Sequence, residues 1–143
     1  METPKSTSSC ACGAVEVEIV GPPVVQCYCH CESCRRWLSA PIHAAALWPT
    51  PNVNITRGAD RLAVYKKTEG SHRHFCTSCG AGVLVRHPAL GMTDVPAGTV
   101  AGLDYAPTMH VNYAEKVMTA RDGLPKFRDF PKEFGGSGET VPE

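Results

Sequence analysis

The eight cysteines of this chain fall into three short groups whose spacing is typical of metal ligands. The groups read CAC, CYCHCESC and CTSC along a sequence of 143 residues. Their members are Cys10 and Cys12, then Cys27, Cys29, Cys31 and Cys34, and finally Cys76 and Cys79. Thiolates are ligands that zinc prefers, and closely spaced cysteines commonly supply them. The three groups therefore predict zinc binding.

The first and last groups have the features of a closed, structural zinc site. Each ends in Cys-Gly, with Gly13 and Gly80 following the second cysteine. Glycine tolerates the positive φ that a tight turn needs if it is to direct two thiolates at one ion. Two such pairs supply the four thiolates of a tetrahedral structural site. The predicted ligands of this structural zinc are Cys10, Cys12, Cys76 and Cys79.

The middle group predicts a second zinc site of a different kind. Cys27, Cys29 and Cys31 would alternate along a strand and share one face, and Cys29, Cys31 and Cys34 form a compact CxCxxC. Three thiolates leave zinc a fourth position for water or a substrate, as a catalytic site requires. Cys27 could be the fourth ligand and close the site, or it could be a buried small hydrophobic residue; we favour the second. We expect two zinc ions per chain, and we expect His30 to lie beside the ligands or exposed.

Other uses of eight cysteines fit the sequence less well. Four disulfides are arithmetically available, but the polar start METPKSTSS lacks the apolar segment of a secretory signal. We therefore expect a cytoplasmic location, where thiols are kept reduced. An iron–sulfur cluster would not match the common ferredoxin spacings.

The composition narrows the class of partner. Lys and Arg together number 14 and Asp and Glu also number 14, so the formal net charge is zero. This balance argues against nucleic acid or an anionic membrane as a partner. Apolar runs are too short to span a bilayer. We expect a single zinc-binding domain over residues 1–134, followed by a flexible tail at 135–143 that is rich in Gly and Pro.

The elements that would carry these cysteines are mainly strands. Short segments with alternating or β-branched residues, separated by Gly, Pro or Asp, predict a β domain. The predicted strands are AVEVEIV, VVQCYC, VNIT, LAVYK, HRHFC, GVLVR, GTVAGL and MHVNY, while HAAALW fits either strand or helix. Only ESCRRWLS at residues 32–39 predicts a short helix, which ends before Pro41. The expected fold is several short antiparallel sheets around the cysteine clusters.

These motifs resemble the glutathione-dependent formaldehyde-activating enzymes. The matching motifs are CxCG near the N-terminus, CHCxxCRR after the second predicted strand, and FCxxCG in the middle. SCACGAVEVEIVGPP is similar to the family's opening strand, and PTMHVNYAEKV with DGLPKFRDFP is similar to its closing strand and tail. The resemblance covers about residues 8–131. It implies a zinc-binding β fold, the Mss-four-like fold, which the family shares with centromere protein V.

The resemblance also implies a reaction. Members of the family are described as carbon–sulfur lyases that join formaldehyde reversibly to glutathione, with a catalytic zinc on the residues matching Cys29, Cys31 and Cys34. We therefore expect an enzyme that acts on formaldehyde, or a related carbonyl, with glutathione or another small thiol. Arg35 and Arg36 could neutralise the thiolates or bind a substrate carboxylate. The alternative is a non-catalytic zinc module that binds protein or nucleic acid, which the kinship with centromere protein V allows.

Overall fold

The computed structural model describes residues 3–143 and confirms a mainly β chain. Its strands form two sheets. The strands are β1 Lys5–Ser9, β2 Glu16–Val20, β3 Val25–Cys29, β4 His43–Pro49, β5 Val53–Arg57, β6 Leu62–Thr68, β7 Ser71–Cys76, β8 Gly82–His87, β9 Met92–Asp94 and β10 His110–Val111. The helix α1 spans Glu32–Leu38. No helix within residues 3–143 combines the length and apolar character that crossing a lipid bilayer requires.

The described chain divides into two compact units. The first contains residues 3–25 and 46–105, and the second contains residues 26–45 and 106–143. All four outer cysteines belong to the first unit, and the whole middle group belongs to the second. Each predicted zinc site therefore lies within one unit.

The first unit is built from antiparallel strands. One sheet has the order β1-β2-β5, and β4, β9, β8, β7 and β6 are neighbours in that order in the other. Val17 and Ile19 alternate with glutamates along β2 and are fully buried, as the period of a half-buried strand requires. Trp48 on β4 and Leu84 on β8 are also buried core residues of this unit.

The second unit holds the helix and one parallel strand pair. In this pair His110 on β10 lies opposite Tyr28 on β3, and Val111 lies opposite Cys29. Beyond β10, Phe127 forms a bridge with Thr140, and the Val141 N–H donates to the Lys126 carbonyl at 2.8 Å. The expected boundary between a domain at 1–134 and a flexible tail at 135–143 stays a prediction.

Most predicted elements are found, and the exceptions have physical causes. HAAALW is strand β4, and ESCRRWLS contains helix α1. The prediction of a strand at GTVAGL is wrong, since Ala97–Thr99 forms a 3-10 turn and Val100 makes only an isolated bridge with Ser8. MHVNY contributes only the two residues of β10, because Asn112 enters the left-handed region at φ 52°. The polar strand β1 was not predicted; β2 pairs with all five of its residues.

Candidate metal centres

The four outer cysteines converge on one point. The sulfur atoms of Cys10, Cys12, Cys76 and Cys79 all lie within 4.8 Å of one another. The Sγ atoms of Cys10 and Cys12 are 3.7 Å apart, and those of Cys12 and Cys76 are 3.9 Å apart. A tetrahedral zinc with Zn–S bonds of about 2.3 Å would place its sulfurs about 3.8 Å apart. The four thiols therefore fit a closed zinc site, and none is in a disulfide.

Two glycine turns direct these thiols. Gly13 and Gly80 both have φ of 78°, as the Cys-Gly motif predicts. The Gly13 N–H donates to the Cys10 carbonyl at 3.1 Å, and the Gly80 N–H donates to the Cys76 carbonyl at 2.7 Å. A Cβ at either glycine would meet nothing within 4 Å. The turns therefore need glycine for its backbone conformation and not for lack of space.

Backbone N–H groups point at the sulfurs of this first set. Val15 donates to Cys10 Sγ and Ser78 donates to Cys76 Sγ, each at 3.3 Å. The Ala81 N–H lowers the pKa of Cys79 to about 6, because a hydrogen bond to the thiolate stabilises the charged form.

Crowding of the thiols has the opposite effect on one member of this set. For Cys12, the Ala14 N–H lowers the pKa, but partial desolvation and the other three thiols together raise it to about 11. Four adjacent thiols cannot all ionise unless a cation is present. A zinc ion would supply that cation.

The middle group brings together three thiols. Cys29, Cys31 and Cys34 lie with their sulfurs within 4.8 Å of one another. Cys29 ends β3, and Cys31 is the N-cap of α1, where its Sγ accepts the Cys34 N–H at 3.2 Å. The expectation that Cys31 continues the strand alternation is therefore wrong, because the chain leaves the strand after Cys29. Cys27, buried on β3, lies outside this group.

The surroundings of this second set favour a bound cation. The neighbouring thiols of Cys31 and Cys34, together with burial, raise the pKa of Cys29 well above its usual value. The amide of Asn112 donates to Cys29 Sγ at 3.5 Å. Three crowded thiols become thiolates only when a positive ion offsets their mutual repulsion. The donor set therefore fits zinc with three protein ligands.

The two arginines after Cys34 have different surroundings. Arg35 donates from Nε to the His30 carbonyl and from Nη2 to the Glu115 carbonyl, both at 3.1 Å. Arg36 has a side chain that is 77% exposed and pairs with Glu32 at 2.7 Å. The Arg35 side chain is thus hydrogen-bonded to two backbone carbonyls near the thiols in sequence and in the fold. The Arg36 side chain is accessible to a solute.

A buried polar chain next to the second set was not predicted. His30 is fully buried, so the expectation that it could be exposed is wrong. Its Nε2 lies 2.8 Å from His110 Nδ1, and His110 Nε2 lies 2.7 Å from Asp122 Oδ2. Burial lowers the pKa of His30 to about 4, and the nearby positive groups add to this effect. In the sequence, these hydrogen-bonded polar groups are indicated locally only by the four-residue spacing of Asp122 and Lys126 in DGLPK.

Comparison with known proteins connects these centres to a family. The family described as glutathione-dependent formaldehyde-activating enzyme matches residues 5–115. A Schizosaccharomyces pombe protein described as an uncharacterized lyase is 32% identical over 78 residues, 54% of this chain and 54% of the relative. A Fusarium vanettenii protein, provisionally named glutathione-dependent formaldehyde-activating enzyme, is 27% identical over 92 residues, 62% of this chain and 50% of the relative. The chain spans about half the length of these curated relatives.

A solved structure is also similar. The crystal structure of a Rhodobacter sphaeroides protein has a TM-score of 0.57 and 25% sequence identity, covering 68% of this chain and 90% of that one. The family match covers well over half of the chain and includes both thiol sets. The chain therefore belongs to the glutathione-dependent formaldehyde-activating enzyme family.

Proposed function

We propose that this chain is a zinc-dependent carbon–sulfur lyase that joins formaldehyde, or a related carbonyl, reversibly to glutathione or another small thiol. The observation that carries the proposal is the difference between the two thiol sets. The first offers four converging sulfurs and the second offers three. A set of four closes a tetrahedral zinc site, whereas a set of three leaves one position for a reactant.

In the proposed reaction the thiol sulfur forms a bond to the carbonyl carbon of formaldehyde. The thiol proton passes to the carbonyl oxygen, so the product carries a hydroxymethyl group, and the reverse reaction breaks the same carbon–sulfur bond. A free thiol, with a pKa of about 8.5, is only a small fraction thiolate at neutral pH. When bound, zinc at the second set would supply a Lewis acid that favours the thiolate or polarises the carbonyl.

The residues of the second unit have separate roles in this proposal. Cys29, Cys31 and Cys34 would hold the zinc ion, and the Asn112 amide would support Cys29 through its hydrogen bond. Arg36 follows Cys34 by two residues and has an exposed side chain, and it would bind a carboxylate of glutathione. Arg35 would support the loop, since its Nε and Nη2 already donate to two carbonyls.

The first thiol set would hold a structural zinc. Its ligands come from two turns that are far apart in the sequence, so the metal would join distant parts of the first unit. All eight cysteines are free thiols, which suits a reducing compartment. We therefore also propose a cytoplasmic location.

Exchange spectroscopy tests the function directly. The uncatalysed reaction of formaldehyde with thiols is itself quick, so NMR exchange rates at equilibrium are more informative than product yield. We expect wild-type protein to accelerate exchange between glutathione and its hydroxymethyl adduct, and we expect Cys31→Ser to abolish the acceleration. Cys27→Ala is the matched control, since Cys27 is a buried cysteine outside the group of three, and it should retain activity.

The same assay can contradict the proposal. Identical exchange rates with wild-type protein and Cys31→Ser, across several small thiols, would rule out the formaldehyde–thiol reaction. The remaining interpretations would then be a different thiol adduct as substrate or the non-catalytic zinc module.

A further inference from the structure

The side chain of His30 lies at the buried end of a series of hydrogen-bonded polar groups in the second unit. The chain runs from His30 Nε2 to His110 Nδ1 at 2.8 Å, and from His110 Nε2 to Asp122 Oδ2 at 2.7 Å. Lys126 Nζ then contacts Asp122 Oδ1 and Glu143 Oε2, both at 2.5 Å. Glu143 Oε2 also accepts the Asp122 N–H at 2.9 Å. Five side chains thus form one connected network.

The ammonium group at the centre of this network is buried. The side chain of Lys126 is only 1% exposed, and a buried ammonium is costly unless carboxylates and hydrogen bonds surround it. Asp122 and Glu143 supply those carboxylates. His30 and His110 are buried as completely. At these buried members a lost bond would leave a polar group unsatisfied, which favours the observed arrangement.

The backbone and the ring of His30 have packing or hydrogen-bond partners, except at one ring nitrogen. Its N–H donates to the Val111 carbonyl at 3.1 Å, and its carbonyl accepts from Arg35 Nε at 3.1 Å. Its ring and the ring of Tyr113 form a T-shaped pair, with centroids 4.9 Å apart and an interplanar angle of 86°. Its Nδ1 is buried and has no hydrogen-bond partner among residues 3–143. Because His30 lies directly between Cys29 and Cys31, whatever fixes its backbone also fixes theirs.

We propose that the chain of Glu143, Lys126, Asp122 and His110 sets the orientation and tautomer of His30, and thereby positions the backbone that carries Cys29 and Cys31. These four are positioning residues, and none of them needs to touch a substrate. The inference rests on the proposed second metal site but not on the reaction proposed there.

The tautomers follow from which atoms can donate. Lys126 Nζ and the Leu124 N–H donate to Asp122 Oδ1, so Asp122 acts as an acceptor-only carboxylate. His110 must then donate to it from Nε2. A proton on the buried, unpartnered Nδ1 of His30 would be an unsatisfied donor, whereas Nε2 faces His110 Nδ1. His30 therefore donates from Nε2, and its buried Nδ1 carries no proton.

This assignment predicts a reversal in Asp122→Asn. The amide oxygen of asparagine must face Lys126 and Leu124, which only donate, so its NH₂ group faces His110. His110 would then accept at Nε2 and donate from Nδ1, and His30 would accept at Nε2 and carry its proton on Nδ1. Nitrogen-15 NMR of the imidazole rings distinguishes the two tautomers. Wild-type protein should show His30 protonated at Nε2, and Asp122→Asn should show it protonated at Nδ1.

The effect of these residues on the thiols of the second set can be measured separately, by cysteine alkylation. In zinc-loaded protein, the rate at which iodoacetamide alkylates each cysteine, read by peptide mass spectrometry, follows release of metal from that set. Loss of an outer partner typically weakens metal binding about tenfold or more, so alkylation of Cys31 and Cys34 in Asp122→Asn should accelerate by a comparable factor. The first thiol set, in the same molecule, is an internal control and should keep its rate. Glu139→Gln, which removes an exposed partner of Arg128, should change neither set.

Each other outcome would overturn the proposal. Wild-type His30 protonated at Nδ1 would contradict the tautomer assignment, and this result needs no variant to fold. Equal acceleration at both thiol sets would show general destabilisation instead of positioning. Inverted tautomers with unchanged alkylation would show that the chain does not control Cys29 and Cys31. None of these readouts uses lyase activity, so failure of the proposed function would leave them interpretable.

Discussion

Cys10 and Cys76 occupy equivalent places in two turns that lie far apart in the sequence. The Cys10 N–H donates to the Val15 carbonyl at 3.1 Å, and the Cys76 N–H donates to the Ala81 carbonyl at 3.0 Å, five residues on in each case. Each sulfur also accepts a backbone N–H at 3.3 Å. The two turns thus share this backbone bond, although the donor to the sulfur is Val15 in one and Ser78 in the other, and together they complete a four-thiol set.

The first prediction concerns metal content. We expect freshly purified protein to carry two zinc ions per chain, because two separate thiol sets have the geometry of zinc ligands. A mild chelator should remove the ion of the three-thiol set first, since an open position admits the chelator. Elemental analysis that finds one zinc ion, or iron with inorganic sulfide, would contradict this assignment.

The two thiol sets should differ in their effect on stability. Binding at a structural zinc site contributes about 10–16 kcal/mol in small zinc domains, which matches the whole stability of about 5–15 kcal/mol of a typical domain. Cys12→Ser or Cys79→Ser should therefore leave much of the protein unfolded. Cys31→Ser should stay folded, because serine can also cap helix α1. Thermal melts followed by circular dichroism test this ranking, and the reverse order would exchange the roles of the sets.

The turn glycines should be sensitive to substitution for conformational reasons alone. Gly80→Ala places a side chain in the left-handed region, at a cost of about 1–2 kcal/mol, although a Cβ there has open space. Gly98→Ala is the matched control, because Gly98 also has open space but no positive φ; its effect should stay within about 0.5 kcal/mol. Urea unfolding measures both. Equal losses would contradict the role of φ.

The stabilising effect of Asp122 should depend on pH. The Lys126 ammonium holds the pKa of the Asp122 carboxyl well below its usual range, against the opposing effect of burial. Its contribution should be complete above the unfolded pKa of about 3.9 and decline as pH falls from there toward the folded pKa. The unfolding free energy of wild type should therefore exceed that of Asp122→Asn at neutral pH, and the gap should narrow in acid. A gap that stays constant across this range would contradict the pairing.

Local chemistry explains which features were predictable from the amino-acid order. Turns such as Cys12-Gly13 and Cys79-Gly80 depend on neighbouring residues, so their spacing predicts both the thiol pairs and the positive φ. The helix after Cys31 follows from local propensity and from the stop near Pro41. Strand β2 follows from its alternation. In each case the interactions that decide the structure lie within a few residues.

Tertiary structure alone decided the features that depend on distant partners. The KSTSS segment is polar and becomes strand β1 because β2 offers it a complete register. Nothing local marks His30 as buried, and its partner His110 lies 80 residues away in sequence. Lys126 is buried because Asp122 and Glu143 both reach its ammonium. The local sequence therefore predicted which thiols form the two sets, whereas the polar groups around His30 came together only when folding joined remote segments.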